Sequence, residues 1–194
     1  MTQQRASDVK SDVDAVERTL HRAVSYLLNA QDAQGWWRGE IEANVAVEAE
    51  YLFLTHFLGV AREDRWRKIA TSIMGRDLPG GGWALYSGGP PDLNITVEAY
   101  FALKLAGAPA DHPVMQRARH VVLSLGGVSK TRVFTKVWLS LFGQYDWRGV
   151  PVLPVETILL PSWAPLNIYD FASWTRAALV PLLVIGARQP ICPV

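Results

Sequence analysis

Residues 80–107 read GGGWALYSGGPPDLNITVEAYFALKLAG, and this stretch decides the fold. A glycine-rich turn carries Trp83, and a pair of prolines follows it. Asp92 or Asn94 can then cap a helix whose apolar side chains recur at helical spacing. Gly107 follows the last of them, where a left-handed C-terminal cap is least strained for glycine. The stretch therefore predicts a turn followed by a single helix.

The same arrangement occurs earlier in the chain, at an offset of 46 to 50 residues. Residues 31–37 read QDAQGWW and lead into a second apolar helical stretch. Trp37 corresponds to Trp83, and Asn44 corresponds to Asn94. Repeats of this length are typical of helical units that stack on a shared core. The sequence therefore predicts an all-α fold built of helix-hairpin repeats.

Composition excludes several other classes of protein. The chain has 194 residues, 19% of them charged, and a formal net charge of +1, without the basic stripe that nucleic-acid binding requires. The lone cysteine, Cys192, allows no internal disulfide and is consistent with a reducing compartment, so we expect a cytoplasmic location. The N-terminus is too polar for a signal peptide, and the longest apolar run, residues 177–187, is too short to cross a bilayer.

Apolar periodicity predicts seven helices, joined late in the chain by an ordered proline-rich loop. We expect residues 1–12 to be a mobile tail, residues 13–190 to form the domain, and residues 191–194 to be a truncated end. We also expect residues 188–194 to follow the last helix without a cap. The predicted helices span about residues 13–30, 43–58, 60–76, 92–105, 113–125, 129–142 and 167–187.

Residues 22–37 match the QW motif of squalene-hopene and oxidosqualene cyclases. The motif has a basic residue and alanine, an aromatic-aliphatic pair, and then Gln-xxx-Gly-x-Trp, which is Gln31, Gly35 and Trp37 here. A glutamine at a helix end can bond the backbone of the next helix while the indole covers it. We therefore interpret the motif as a structural fastener between repeats, not as a catalytic site.

The second copy of the motif is altered. It keeps Gly81 and Trp83, but Asp77 occupies the position of the glutamine. We expect this joint to be looser, or to be fastened by the carboxylate instead.

Three longer blocks resemble the N-terminal part of bacterial squalene-hopene cyclases: residues 81–107, 131–147 and 165–180. The resemblance covers residues 22–190, about the first third of a family member. It implies an incomplete α/α barrel, or toroid, and contact with squalene or a related prenyl lipid. It also implies activity without cofactor or metal, and monotopic or peripheral contact with the surface of the inner membrane.

The family's proton donor lies in an Asp-x-Asp-Asp motif far downstream of these blocks, and this chain has no such motif. The nearest match, DVDA at residues 12–15, lacks the third acid and is interpreted as a solvated helix start. Protonating an alkene needs a carboxylic acid held protonated in a dry site. We therefore expect no catalytic residue here and no cyclisation by the chain alone.

The resemblance does imply substrate-contact residues. Phe171, Trp174 and Leu179 match the lining of the substrate channel and cavity, whereas spacing alone favours Trp174 as a core residue. Phe134 and Trp138 match aromatic residues near the cavity, and packing between inner helices explains them equally well.

Charged residues on otherwise apolar helices form a second set. Glu50 matches a charged family position and is a candidate substrate contact, and Glu98 and Arg132 match two others. Because buried charges need partners, we expect a Glu98–Arg132 pair. The four histidines have no metal-ligand spacing.

Three functions are compatible with these residues. The first is the N-terminal portion of a cyclase that converts squalene to hopene, inactive alone. The second is a module that binds an isoprenoid without reacting it. The third is an interaction subunit that completes its barrel with a separate C-terminal cyclase chain, since an open barrel leaves apolar surface exposed.

Overall fold

The computed structural model describes residues 2–38, 42–165 and 167–194, which divide into two compact units, residues 1–42 and 43–194. The regular structure of the described residues is helical, without a β-strand, and this confirms the predicted all-α class. The predicted domain limits at residues 12 and 190 stay predictions. The helices are α1 (Thr2–Ala30), α2 (Ala46–Phe57), α3 (Glu63–Gly75), α4 (Leu93–Leu105), α5 (Pro113–Ser124), α6 (Val133–Leu141) and α7 (Ser173–Arg188).

The first unit consists of α1 and the turn that follows it. The helix begins at Thr2, where the sequence pattern predicted a start near Val13. Residues 2–12 contain no glycine or proline and include several good helix formers, but they have no apolar stripe to signal a helix. The helix start was therefore predicted too late, and the mobility of residues 1–12 stays a prediction.

The second unit is built around α4, which packs against α2, α3, α5 and α6. Most of its side chains are buried, including Ile95, Phe101 and Leu103. Asp92 is the residue that caps it, because its Oδ1 accepts hydrogen bonds from the backbone N–H groups of Asn94 (2.8 Å) and Ile95 (3.0 Å). Helices α2 to α6 lie within four residues of their predicted limits.

The repeated asparagines connect successive helical units. Asn44 donates from Nδ2 to the carbonyl oxygen of Leu85 (3.1 Å), which precedes α4. Asn94 accepts from the backbone N–H of Arg132 (2.7 Å), which precedes α6. Each asparagine thus fixes the chain just ahead of the next helix of the series α2, α4 and α6, which we call the inner helices.

The last helix begins at Ser173, six residues later than predicted. Asn167, the predicted start, caps a 3-10 turn instead, because its Oδ1 accepts from the backbone N–H of Tyr169 (2.9 Å). Its amide also donates to the carbonyl oxygen of Ala164 (2.8 Å), which ties the turn to the preceding loop. A residue with these local bonds favours a turn over a helix interior.

The chain after α7 is capped, contrary to the expectation for residues 188–194. Gln189 adopts a left-handed conformation with φ +45° and donates its N–H to the carbonyl oxygen of Ile185 (2.7 Å). Farther on, the N–H of Cys192 bonds to the carbonyl oxygen of Leu141 at the end of α6 (2.7 Å). The following proline at position 190 stops the helix and favours this geometry.

Candidate functional site

An ion pair joins two of the inner helices. The carboxylate of Glu98 on α4 is buried and accepts hydrogen bonds from Arg132 (3.0 Å) and from the hydroxyl of Thr135 (2.5 Å). The guanidinium of Arg132 is partly exposed, so one end of the pair reaches solvent. The predicted Glu98–Arg132 pair is confirmed, and it neutralises a charge that would be costly to bury alone.

Glu50 lies beside this pair. The indole Nε1 of Trp138 on α6 donates to Oε1 of Glu50 on α2 (3.2 Å). Burial raises the pKa of the Glu50 carboxyl, and the charge of Glu98 raises it further, against the opposing effects of Trp138 and Arg132. Two of the predicted site residues are therefore in contact, and one of them is a carboxyl group that holds its proton more readily than usual.

Aromatic rings fill the space around this polar group. The ring of Phe53 lies 5.5 Å from that of Trp138 and 5.3 Å from that of Phe101, and Phe142 lies 5.4 Å from Phe101. Trp138 thus has the packing role that the sequence left open, together with a polar bond to Glu50. Tilted aromatic pairs at these distances stabilise the contact between helices.

A second, apolar site lies between α6 and α7. It is a cavity of about 140 Å³ that is lined by Phe134 of α6 and by Leu179 of α7, together with a segment of the proline-rich loop. A cavity of about 150 Å³ holds a benzene-sized molecule, so this one matches a small part of a prenyl chain. The structure brings Phe134 and Leu179 together here, apart from the Glu50–Trp138 contact.

The sequence predicted the proline-rich loop but not its place in the wall of this cavity. Val152 and Leu153 line it, as does Trp147, whose indole N–H has no partner among the described residues. Val152 lies directly against Gly186 of α7, where any side chain would collide with it. A glycine inside an apolar helix was the available signal, because it marks a close approach between two segments.

Phe171 and Trp174 lie outside the cavity. Both side chains are exposed, and Trp174 is 76% exposed, so it is not the core residue that spacing alone favoured. Their predicted role as substrate contacts stays a prediction.

The QW turn of the first unit forms its bonds locally. Gln31 donates from Nε2 to the carbonyl oxygen of Gly35 (2.8 Å), and the Trp37 indole donates to the carbonyl oxygen of Leu27 (2.6 Å). Gly35 has φ +88°, which turns its carbonyl back toward the glutamine. Among the described residues, Gln31 therefore fastens its own turn, where we had expected a bond to the next helix.

The altered copy is fastened by its carboxylate, one of the two expected outcomes. Asp77 forms an ion pair with Arg117 of α5. Gly81 has φ +90°, and the Trp83 indole donates to the carbonyl oxygen of Ile73 (2.8 Å). This turn therefore joins two helices of the second unit.

Comparison with known proteins agrees with this architecture. The family described as the squalene-hopene cyclase N-terminal domain matches residues 20–194. The chain belongs to this family. It is 46% identical over 182 residues to the squalene-hopene cyclase of Alicyclobacillus acidocaldarius, and the match covers 94% of the chain and 29% of that relative.

Other curated relatives are triterpene cyclases as well. The chain is 42% identical to the squalene-hopene cyclase of Zymomonas mobilis, over 92% of the chain and 27% of that relative. It is 34% identical to a dammaradiene synthase of Dryopteris crassirhizoma, over 93% of the chain and 26% of the synthase. The chain thus spans less than a third of the length of these relatives. In the part of this cyclase domain that the structure describes, no helix is long and apolar enough to cross a membrane.

Proposed function

We propose that the chain forms the N-terminal part of a class II triterpene cyclase, which converts squalene to hopene by proton-initiated polycyclisation. Membership of the squalene-hopene cyclase family supports this proposal. The observation that carries it in the structure is the apolar cavity between α6 and α7, where Phe134 and Leu179 meet. Aromatic and aliphatic walls suit a reaction through carbocations, because rings stabilise positive charge and apolar walls exclude water.

The proposed substrate contacts are of two kinds. Phe134, Leu179, Phe171 and Trp174 would contact the prenyl chain through apolar surface. Glu50 would present a polar group to the same reaction, and its Trp138 hydrogen bond would hold the carboxyl in one orientation. Burial and the neighbouring charge of Glu98 raise the pKa of this carboxyl, which favours its protonated form relative to an ordinary glutamate.

The initiating acid would come from sequence that carries the Asp-x-Asp-Asp motif. Several of the most exposed apolar side chains of the second unit lie in or beside the proline-rich loop, namely Leu159, Trp163 and Trp174. Exposed apolar surface of this kind marks a contact with another protein surface or with a lipid. It supports completion of the barrel by further cyclase sequence, either in the same polypeptide or, as the alternative, in a separate C-terminal chain.

We further propose that the assembled enzyme works as a peripheral or monotopic protein at the cytoplasmic surface of the inner membrane. The proposed substrate supports this location, since squalene is a hydrocarbon and partitions into the bilayer. If the chain instead only binds a prenyl lipid without reacting it, the protein would have the same location, and the lipid would occupy the same cavity.

A chimaera tests the proposal directly. Residues 20–194 would replace the matching segment of the Alicyclobacillus acidocaldarius enzyme, and products from squalene would be identified by mass spectrometry. We expect hopene from the chimaera and none from the 194-residue chain alone. Hopene from the chain alone would refute the need for an external acid. A folded chimaera that binds a squalene analogue but forms no hopene would favour the binding module.

Variants of the chimaera locate the contacts. Phe134→Ala and Trp174→Ala should each lower kcat/KM about tenfold or more, since each removes one aromatic wall of the proposed path. Trp36→Ala is the matched control, because Trp36 is an exposed tryptophan of the first unit outside the proposed site. Equal effects of all three substitutions would show that Phe134 and Trp174 act only through the fold.

A further inference from the structure

A groove of about 220 Å³ lies between α4, α5 and the segment of residues 128–144. Its floor includes Phe101 of α4 and Leu139 of α6, which are buried apolar side chains. Leu123 of α5 also lines the groove, but it is 59% exposed. The volume exceeds the roughly 150 Å³ that holds a benzene-sized molecule, so the groove has room for a stretch of aliphatic chain.

Two cationic side chains line the same groove, Lys104 from α4 and Arg119 from α5. Both are exposed, and neither has a carboxylate partner within 4.0 Å among the residues that the structure describes. Two other cations of this region differ, since Arg117 and Arg132 pair with carboxylates of the protein. Lys104 and Arg119 are therefore free to bind an anion from outside.

The local charge reinforces this pair. Between Lys104 and Gln144 the sequence has six lysines and arginines and a single carboxylate, Asp111, which gives a formal charge of +5. The whole chain has a formal net charge of only +1. Ion pairs with Asp77 and Glu98 neutralise two of these cations, Arg117 and Arg132, and the remaining net charge of +3 still favours the approach of anions to the segment that forms the groove.

We propose that this groove binds a monomeric anionic amphiphile of the fatty-acid type. Its aliphatic chain lies on Phe101 and Leu139, and its carboxylate pairs with Lys104 and Arg119. A neutral hydrocarbon has no charged group that could pair with the two cations. A small hydrophilic anion has no apolar part that could pack on the floor of the groove. Only a ligand with both parts uses both features, and arginine offers it a bidentate, charge-assisted hydrogen bond. The proposal goes beyond the cyclase function and does not depend on it.

Calorimetric titration of the 194-residue chain with decanoate, below its micellar concentration, tests the site. The neutral molecule 1-decanol, with the same chain length, should bind at least about tenfold more weakly, because it lacks the charge-assisted bonds. Lys104→Glu and Arg119→Glu should each weaken decanoate binding about tenfold, and Leu123→Ser should weaken it about threefold. Lys68→Glu on α3 is the matched control and should change nothing, because Lys68 is an exposed lysine that does not line the groove.

All of these positions are exposed, so circular dichroism spectra should stay unchanged. If a charge reversal disturbs the fold, Lys104→Gln and Arg119→Gln replace it, with the same expected direction. Equal affinity for decanoate and 1-decanol, or no effect of the groove substitutions, would overturn the proposal. Binding to phosphatidylglycerol vesicles without any binding of decanoate would also overturn it, since the cations would then serve a membrane surface.

Discussion

The two QW turns have the same backbone and different surroundings. In residues 31–37 and 77–83, the glycine has φ +88° or +90°, and the indole donates to a carbonyl oxygen ten residues earlier. Two backbone hydrogen bonds also recur, from the N–H of residue 32 or 78 and from the N–H of the glycine. Yet Trp37 is 51% exposed, whereas Trp83 is 1% exposed.

The two turns also differ in the residue six positions before the tryptophan. Gln31 bonds within its own turn, but Asp77 reaches Arg117 on another helix. The turn geometry therefore does not require the glutamine, since the turn with Asp77 has the same glycine conformation and the same indole bond. The side chain at that position bonds within the turn in the first copy and to α5 in the second.

The largest expected difference is between the two tryptophans. Trp83→Ala should lower the free energy of unfolding by about 3–5 kcal/mol, because it leaves a cavity in the core and removes the indole hydrogen bond to the carbonyl oxygen of Ile73. Trp37→Ala should lower it by about 1 kcal/mol, since half of its surface is already exposed. Urea titration followed by circular dichroism measures both values. Equal losses would show that the two turns are equivalent in stability.

The next largest difference is expected between substitutions of the two turn glycines, Gly81 and Gly35. Gly81→Ala should cost about 3 kcal/mol, because it strains a positive φ and places a Cβ atom 2.6 Å from the Cβ atom of Arg117. Gly35→Ala meets no atom closer than 3.9 Å and should cost about 1 kcal/mol of backbone strain. The same titration compares them, and an equal cost would mean that α5 moves away from the turn without penalty.

Breaking the Asp77–Arg117 ion pair should have a smaller effect on the free energy of unfolding. Arg117→Met leaves the Asp77 carboxylate, with a side chain only 6% exposed, without its cation. The expected loss is about 1–2 kcal/mol, at the low end for a buried pair because Arg117 itself is partly exposed. Adding Asp77→Asn should recover part of that loss. A double variant no more stable than Arg117→Met alone would count against the ion pair as the fastener.

The smallest effect on the free energy of unfolding is expected from exchanging the side chains of Gln31 and Asp77 between the two turns. Asp77→Gln loses the ion pair, but the new amide can donate to the Gly81 carbonyl oxygen as Gln31 does to Gly35. The expected net change in the free energy of unfolding is about 1 kcal/mol or less. Gln31→Asp is the reciprocal variant, with a loss of similar size. A loss above about 3 kcal/mol for either would mean that the turn depends on one particular side chain.

The inner helices could be predicted from sequence because apolar side chains recur at helical spacing along α2, α4 and α6. The Glu98–Arg132 pair was predicted from the resemblance to charged family positions together with the need of a buried carboxylate for a cation. Gly186 signals a close approach to α7, but the segment that makes it could not be predicted, because the proline-rich loop has no apolar periodicity that would show which of its residues face the helix. The exposure of Trp174 was missed for another reason, since spacing identifies an apolar face but not the surface that covers it.

The indole hydrogen bonds also make the two turns observable in solution. Each indole N–H gives its own proton resonance, and a bonded N–H exchanges with deuterium only when its hydrogen bond opens. Trp37 therefore records the opening of the turn after α1, and Trp83 records the opening of the core around α4. A single spectrum followed over time would separate local fraying of the first repeat from opening of the second.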